Sequence, residues 1–382
     1  MLLTEISTRR TAGFGLVEVM VGMVIGMLGI IIMMQVSTIF GAQKRSTNGG
    51  NEALSSGAII MYSLQGEIGR AGYGFSAYSL MGCNVRLLNA QTLASSLQLN
   101  SIAPVTINHP SIPAGDNGTD TLLVVYTKSD KQTKGIHITG NSGVGNYQVQ
   151  DAQDFSLNDV VIAQQTAPPT CANTLNMGYV NAAAAGFNIP TTLGTAITDG
   201  TIYNFGQSTQ IVIQAYAIRK SVLTRCDLMA QDCFNSANTT SSTIWIPIAD
   251  NVVSLKAQYG VDNLYPETSA TYVAQTYSNS PPPVAPVPLP AGCTWARLPS
   301  VRIALVARNT QIEKTAVTPN PLPGSLTWAG NATDPIDLTS TSAGANWQNY
   351  RYALFEATIP LRNVIWLRVQ SASSVPPVTP SC

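Results

Sequence analysis

From Phe14 to Phe40 the chain runs for 27 residues with a single ionisable side chain, Glu18. As a helix this run measures about 40 Å at ~1.5 Å per residue, more than the ~30 Å hydrocarbon core of a bilayer. Whatever the rest of the chain does must be arranged around such a segment. Arg9 and Arg10 stand just ahead of it, and cationic residues hold their end of a span in the cytoplasm. The remaining residues then lie across the membrane. A carboxylate inside an apolar span costs about 2.5–3.5 kcal/mol on insertion scales. Glu18 is therefore either hydrated near the interface or paired with a positive charge at similar depth.

An ordinary secretory signal fits this N-terminus badly. Its apolar core is roughly 7–15 residues long and ends in a small-residue cleavage site, whereas this run is longer and ends in Ile39-Phe40-Gly41-Ala42-Gln43. Arg9-Arg10 as a twin-arginine signal meets the same objection of length. The six cysteines, Cys83, Cys171, Cys226, Cys233, Cys293 and Cys382, include no CxxC pair. In an exported chain, scattered cysteines in even number read as disulfides. Cys226 and Cys233 are close enough to close a short loop; the other pairings are not deducible, and free buried cysteines are the alternative. Net charge is zero and charged residues make up only 10% of the chain. With no Lys- or Arg-rich stretch, a nucleic-acid partner is not expected.

The segment Gly13-Phe14-Gly15-Leu16-Val17-Glu18-Val19-Met20-Val21 resembles the type IV prepilin signature. Glycine precedes an aromatic residue, glutamate falls fifth counting from that aromatic, and a long apolar helix follows. The resemblance implies that prepilin peptidase cuts between Gly13 and Phe14 and that the new Phe14 amine is methylated. It also implies that Glu18 neutralises the N-terminal amine of a neighbouring subunit, an attraction that grows as the surroundings become apolar. Gly22, Gly26 and Gly29 lie in the span. Gly22 and Gly26 form a small-xxx-small pair that lets apolar helices approach closely, although glycine is also merely tolerated in membrane helices. No proline occurs between residues 14 and 103, so no proline kink is predicted.

Beyond Lys44 and Arg45, Leu54, Ala58, Met61, Gln65, Ile68, Ala71 and Phe75 recur at helical steps, which predicts an amphipathic stripe packed on the protein's own head, with Glu67 and Arg70 on the polar side. The patch Asn48-Gly49-Gly50-Asn51 is expected to loosen the helix there. From Tyr73 onward, runs rich in Val, Ile, Tyr and Thr predict strands at Thr121–Thr127, Asp159–Ala163, Gln210–Ile218, Ile244–Ile248, Val252–Tyr259, Ser300–Arg308 and Tyr350–Thr358. Ser278–Gly292 holds six prolines and is expected to be an exposed excursion. The expected class is α+β and pilin-like. It comprises a leader at 1–13, a membrane-spanning helix at 14–40, an amphipathic continuation at 41–72 and a β-rich periplasmic head at 73–382 with a Pro-rich loop at 278–292.

Several later segments resemble PilW-type minor pilins: Gly66–Gly74 at the helix exit, Asp120–Tyr126, Gln258–Asp262, Pro299–Arg308 and Thr358–Asn363. That resemblance implies an inner-membrane subunit that joins an extracellular pilus and helps to start its assembly. The implied partners are other minor pilins, the major pilin, prepilin peptidase, the inner-membrane assembly platform and a tip adhesin. A J-type pseudopilin of type II secretion is the nearest alternative, and a membrane-anchored periplasmic enzyme or binding protein a more distant one. No cofactor, metal or catalytic site is expected. His109 and His137, the two histidines, are neither near a cysteine nor paired at metal spacing. Gly140–Gly145 matches neither a Walker loop nor a dinucleotide fingerprint and reads as a turn. Asp116-Asn117-Gly118-Thr119-Asp120 could hold a calcium ion through oxygen ligands but lacks the length and terminal Glu of an EF-hand loop, so a tight turn is the expectation.

Overall fold

The proline-free apolar run and the residues after it form one helix, α1 (Leu16–Arg70). The computed structural model describes residues 13, 15–75, 77, 79–87, 97–131, 135–166, 171, 173–263, 272–281, 291–339 and 344–366. The leader 1–12, Phe14, residues 282–290 of the Pro-rich loop and Cys382 lie outside these. The protein is a β-rich α+β chain with an apolar N-terminal helix, and it divides into two compact units, residues 1–51 and 52–382. Within the first, Leu16–Gly41 is long and apolar enough to cross a membrane, and none of it is buried against the protein. The Gly-rich patch at 48–51 does not interrupt α1: a glycine costs a helix only about 1 kcal/mol, and here the helical hydrogen bonding continues through it.

In the second unit α1 is followed by β1 (Val85–Arg86), β2 (Gln98–Leu99), β3 (Val105–Ile107), β4 (Leu122–Thr127), β5 (Ile136–Gly143), β6 (Asn146–Val149), β7 (Asp159–Gln165), β8 (Leu175–Tyr179), β9 (Asn188–Pro190) and β10 (Gly200–Gln207). Then come β11 (Ile211–Arg219), β12 (Val222–Asp227), β13 (Ile246–Asp250), β14 (Val252–Val261), β15 (Thr276–Ser278), a short helix α2 (Ala291–Ala296), β16 (Ser300–Arg308) and β17 (Tyr352–Pro360). They build three sheets, ordered β2-β1-β8-β7-β10-β5-β6-β9, β13-β12-β11-β4-β3 and β15-β14-β16-β17. β16 pairs residue for residue with β17, from Ser300↔Pro360 to Arg308↔Tyr352.

β4 and β11, at the centre of the five-stranded sheet, are buried on both faces, which explains why β4 is apolar at successive positions, whereas the edge strand β13 is largely exposed. Leu122, Val124 and Tyr126 enter a core shared with α1 and the inner face of the four-stranded sheet. Leu123 and Val125 face the other way, toward the eight-stranded sheet. The outer face of the four-stranded sheet is covered by Leu326, Trp328, Ile336, Leu338 and Trp347, and there Lys256 forms an ion pair with Asp334.

Met61, Ile68, Ala71 and Phe75 of the predicted stripe are buried as expected, but the start of the stripe is displaced by one residue. Ala53, Gly57, Ile60, Met61, Leu64, Ile68 and Ala71 are buried, while Ala58 is exposed and Leu54 is 53% exposed. Leu64 takes the place expected for Gln65. The reason lies at Gly57: a Cβ there would run into the ring of Phe355 on β17. The glycine lets the sheet approach closely and sets the helix's rotation, against the bulkier Leu54. Glu67 is likewise not simply on the polar side, because its carboxylate accepts the Tyr126 hydroxyl at 2.6 Å.

Candidate functional site

At the N-terminal end, Gly13 and Gly15 precede the helix and α1 begins at Leu16. The Gly15 carbonyl accepts the Glu18 and Val19 amides at 2.9 and 3.2 Å. Glu18 thus sits in the first helical turn, where the partial positive charge of the unsatisfied amides favours a carboxylate. Its side chain is exposed and, among the described residues, makes no ion pair. The large apolar side chains from Leu16 to Phe40 stand out from the helix in all directions. Gly22, Gly26 and Gly29 have nothing within 4 Å of the space a Cβ would fill, so each leaves an open notch. This unit is an apolar rod with a lone carboxylate near its start and one indented side.

In the second unit Cys226 and Cys233 are disulfide-bonded, with Cα atoms 5.9 Å apart. Cys83 and Cys171 are bonded with Cα atoms 4.6 Å apart, tying the segment after α1 to the stretch that leads into β8. Cys293 is disulfide-bonded too.

The polar motifs noted in the sequence serve the fold. Asp116 accepts the amides of Lys220 and Ser221 at 2.8 and 2.7 Å. Asp120 is buried and accepts Asn108 Nδ2 at 2.7 Å and the Ala257 amide at 2.9 Å, joining the five-stranded to the four-stranded sheet. Burial pushes its pKa up, against the pull of those hydrogen bonds. The two carboxylates therefore point at backbone in different places, not at a common centre. Gly140–Gly143 belongs to β5, and the turn is at Val144-Gly145, where β5 reverses into β6. His109 is buried; its Nε2 hydrogen-bonds the Asn100 carbonyl at 2.8 Å and its Nδ1 accepts the Ser111 amide at 3.2 Å. Burial pushes its pKa down. His137 is exposed and meets Asp199 at 2.9 Å. Among the described residues no three His, Cys, Asp or Glu side chains gather as they would around a metal ion.

One surface feature escaped the sequence reading. Arg70, Tyr73, Lys128, Arg362 and Trp366, distant in sequence, line a groove of about 510 Å³. Its walls are the end of α1, the end of β4 and a helical turn at residues 362–366. No local pattern brings these residues together, so no sequence signal could have found the groove.

The PilW family, described as Type IV Pilus-assembly protein W, matches residues 215–363. That stretch runs from β11 through the whole four-stranded sheet to the turn beside the groove. No curated protein and no solved structure matches the chain.

Proposed function

We propose that this chain, whose residues 215–363 match the PilW family of type IV pilus-assembly proteins, is a minor pilin that helps to start filament assembly. The observation that carries the reading is the uncovered apolar helix of the first unit with its lone carboxylate in the opening turn. A surface of that kind needs lipid or other helices around it, and a pilin meets both in turn. Prepilin peptidase cuts the peptide bond between Gly13 and Phe14, and the freed Phe14 amine is then methylated. Removing residues 1–13 leaves the apolar helix on the mature protein. The charged amine and Glu18 are within about one helical turn of each other, so subunits brought side by side can pair the Glu18 of one with the amine of the next. In apolar surroundings such a pair is strongly favoured over either charge alone. Gly22, Gly26 and Gly29 supply the notches along which helices close up.

On this reading the protein is held in the inner membrane with its head in the periplasm, and enters the extracellular pilus on assembly. Its partners are other minor pilins, the major pilin and the assembly platform, with a tip adhesin beyond them. The match to a pilus-assembly family favours this over a J-type pseudopilin, and a PilW-type chain is not expected to be an enzyme. Mass spectrometry of the mature N-terminus tests it. N-methyl-Phe14 is the expected terminus; an intact Met1, or a terminus after residue 40, refutes it.

A further inference from the structure

The groove at the end of α1 has the chemistry of a docking site. Trp366 is 65% exposed and Tyr73 39% exposed, so two aromatic surfaces are presented to solvent. Arg70, Lys128 and Arg362 are exposed around them, and among the described residues no acidic side chain lines the groove. The carboxylate beside it, Glu67, is engaged by the Tyr126 hydroxyl at 2.6 Å and by Arg70 at 3.6 Å. The Arg70 side chain is still 61% exposed. The walls are held in place: Asn363 Nδ2 donates to the Arg70 and Ala71 carbonyls at 3.1 and 3.0 Å, pinning the 362–366 turn to the helix end. A preformed groove loses little entropy when it is filled.

We propose that this groove docks an acidic peptide segment of another protein, with an apolar side chain against Trp366 and Tyr73 and carboxylates against Arg70, Lys128 and Arg362. Aromatic and Arg side chains are the usual anchors of protein interfaces, and Trp and Tyr present large area at low entropic cost. Charge selects the occupant. Residues 367–382 carry no Asp or Glu, so this chain's own C-terminal stretch does not supply the complementary side chains. A nucleic-acid strand needs a basic track along which phosphates run, whereas here three cations surround one compact groove on a chain of zero net charge. The partner's identity as a pilus subunit rests on the proposed function; the chemistry of the groove does not.

The test uses the full chain in detergent and follows fluorescence anisotropy of three labelled probes: a short peptide of alternating Glu and Leu, the same peptide with Lys for Glu, and an oligothymidine strand. The Glu/Leu peptide is expected to bind and the other two not, with affinity falling as salt rises from ~0.05 to ~0.5 M. Trp366→Ala should weaken it about tenfold or more. Arg362→Glu should weaken it severalfold, and Arg362→Lys should keep most of it. Both positions are exposed, so these variants should fold, which an unchanged melting curve checks. Equal binding of the Lys peptide, preference for oligothymidine, binding unaffected by Trp366→Ala, or no binding of the Glu/Leu peptide each overturns the proposal. None depends on N-terminal processing, so a failure here is distinct from a failure of the minor-pilin reading.

Discussion

The hairpin between β11 and β12 turns through Lys220 and Ser221, with Arg219 paired to Val222. Both turn residues have positive φ, 54° and 59°. Two-residue hairpin turns of this hand prefer Asn-Gly, because a side chain in the left-handed region costs about 1–2 kcal/mol per residue. Lys-Ser holds that shape because Asp116 accepts both amides. Asp116 is in turn held against β11: its own amide donates to the Ile218 carbonyl at 2.7 Å, and a Cβ on Gly115 would lie 2.6 Å from that oxygen. Asp116→Ala removes two hydrogen bonds to a charged acceptor, worth about 1.5–3 kcal/mol each. Because the turn is partly exposed, water replaces some of this, and the low end, about 3 kcal/mol in total, is the expectation. Thermal unfolding of the full chain in detergent, followed by circular dichroism, should show a fall of several degrees. Installing Asn-Gly at 220–221 in the Asp116→Ala background should recover about 2 kcal/mol. A variant within about 0.5 kcal/mol of the parent refutes the reasoning. So does a calcium-dependent rise in the parent's melting temperature that the variant lacks, since that would make Asp116 a cation ligand.

Three further predictions follow from the same geometry. Glu18→Ala should leave processing to Phe14 intact but deplete the protein from sheared filaments; normal recovery with the pili would remove Glu18 from assembly. Gly66→Ala, at an open helix position, should stabilise by about 1 kcal/mol, whereas Gly57→Ala should destabilise because its Cβ meets Phe355; urea unfolding of both reads the sign, and a gain at Gly57 would refute the close approach. Burial pushes Tyr126 and Tyr352 up to about 12, with the Tyr126 hydrogen bond to Glu67 adding to the first. Protons are therefore held more tightly in the folded state, and the stability they contribute is complete below pH ~10 and is lost as pH rises through ~12. The urea midpoint should fall across that window and Tyr126→Phe should flatten part of the fall; an unchanged slope would show that Tyr126 ionises as freely folded as unfolded.

Much of the β architecture was legible because its strands are apolar runs. Ser300–Arg308 matches β16 at both ends, and Thr121–Thr127 and Val252–Tyr259 fall within two residues of β4 and β14. Short or mixed strands such as β3, β10 and β12 escaped notice, and some others are of a different kind altogether. β5 and β6 are built from Gly, Asn, Ser and Gln among a few apolar residues, and β8 from Leu-Asn-Met-Gly-Tyr. Such segments have little strand preference of their own and become strands by pairing, as β8 does between β1 and β7. Asp116 illustrates the same limit at a single residue, since its partners lie more than a hundred positions away.

The sequence by itself determined the character of the N-terminal helix. A largely apolar run of 27 residues holding one glutamate is a local property, set by composition and period, and any environment that folds it must reckon with both. The sequence also placed Met61, Ile68, Ala71 and Phe75 on the core side of the helix continuation, where they are, but did not determine how that face begins. Leu54 and Ala58 and their neighbours Ala53 and Gly57 both have helical spacing, and the choice was made by the Phe355 ring on a strand some three hundred residues away. The groove is likewise a product of tertiary structure. Arg70, Lys128 and Arg362 are three unremarkable cations along the chain, and they become one electrostatic site only where the end of α1, the end of β4 and the 362–366 turn converge.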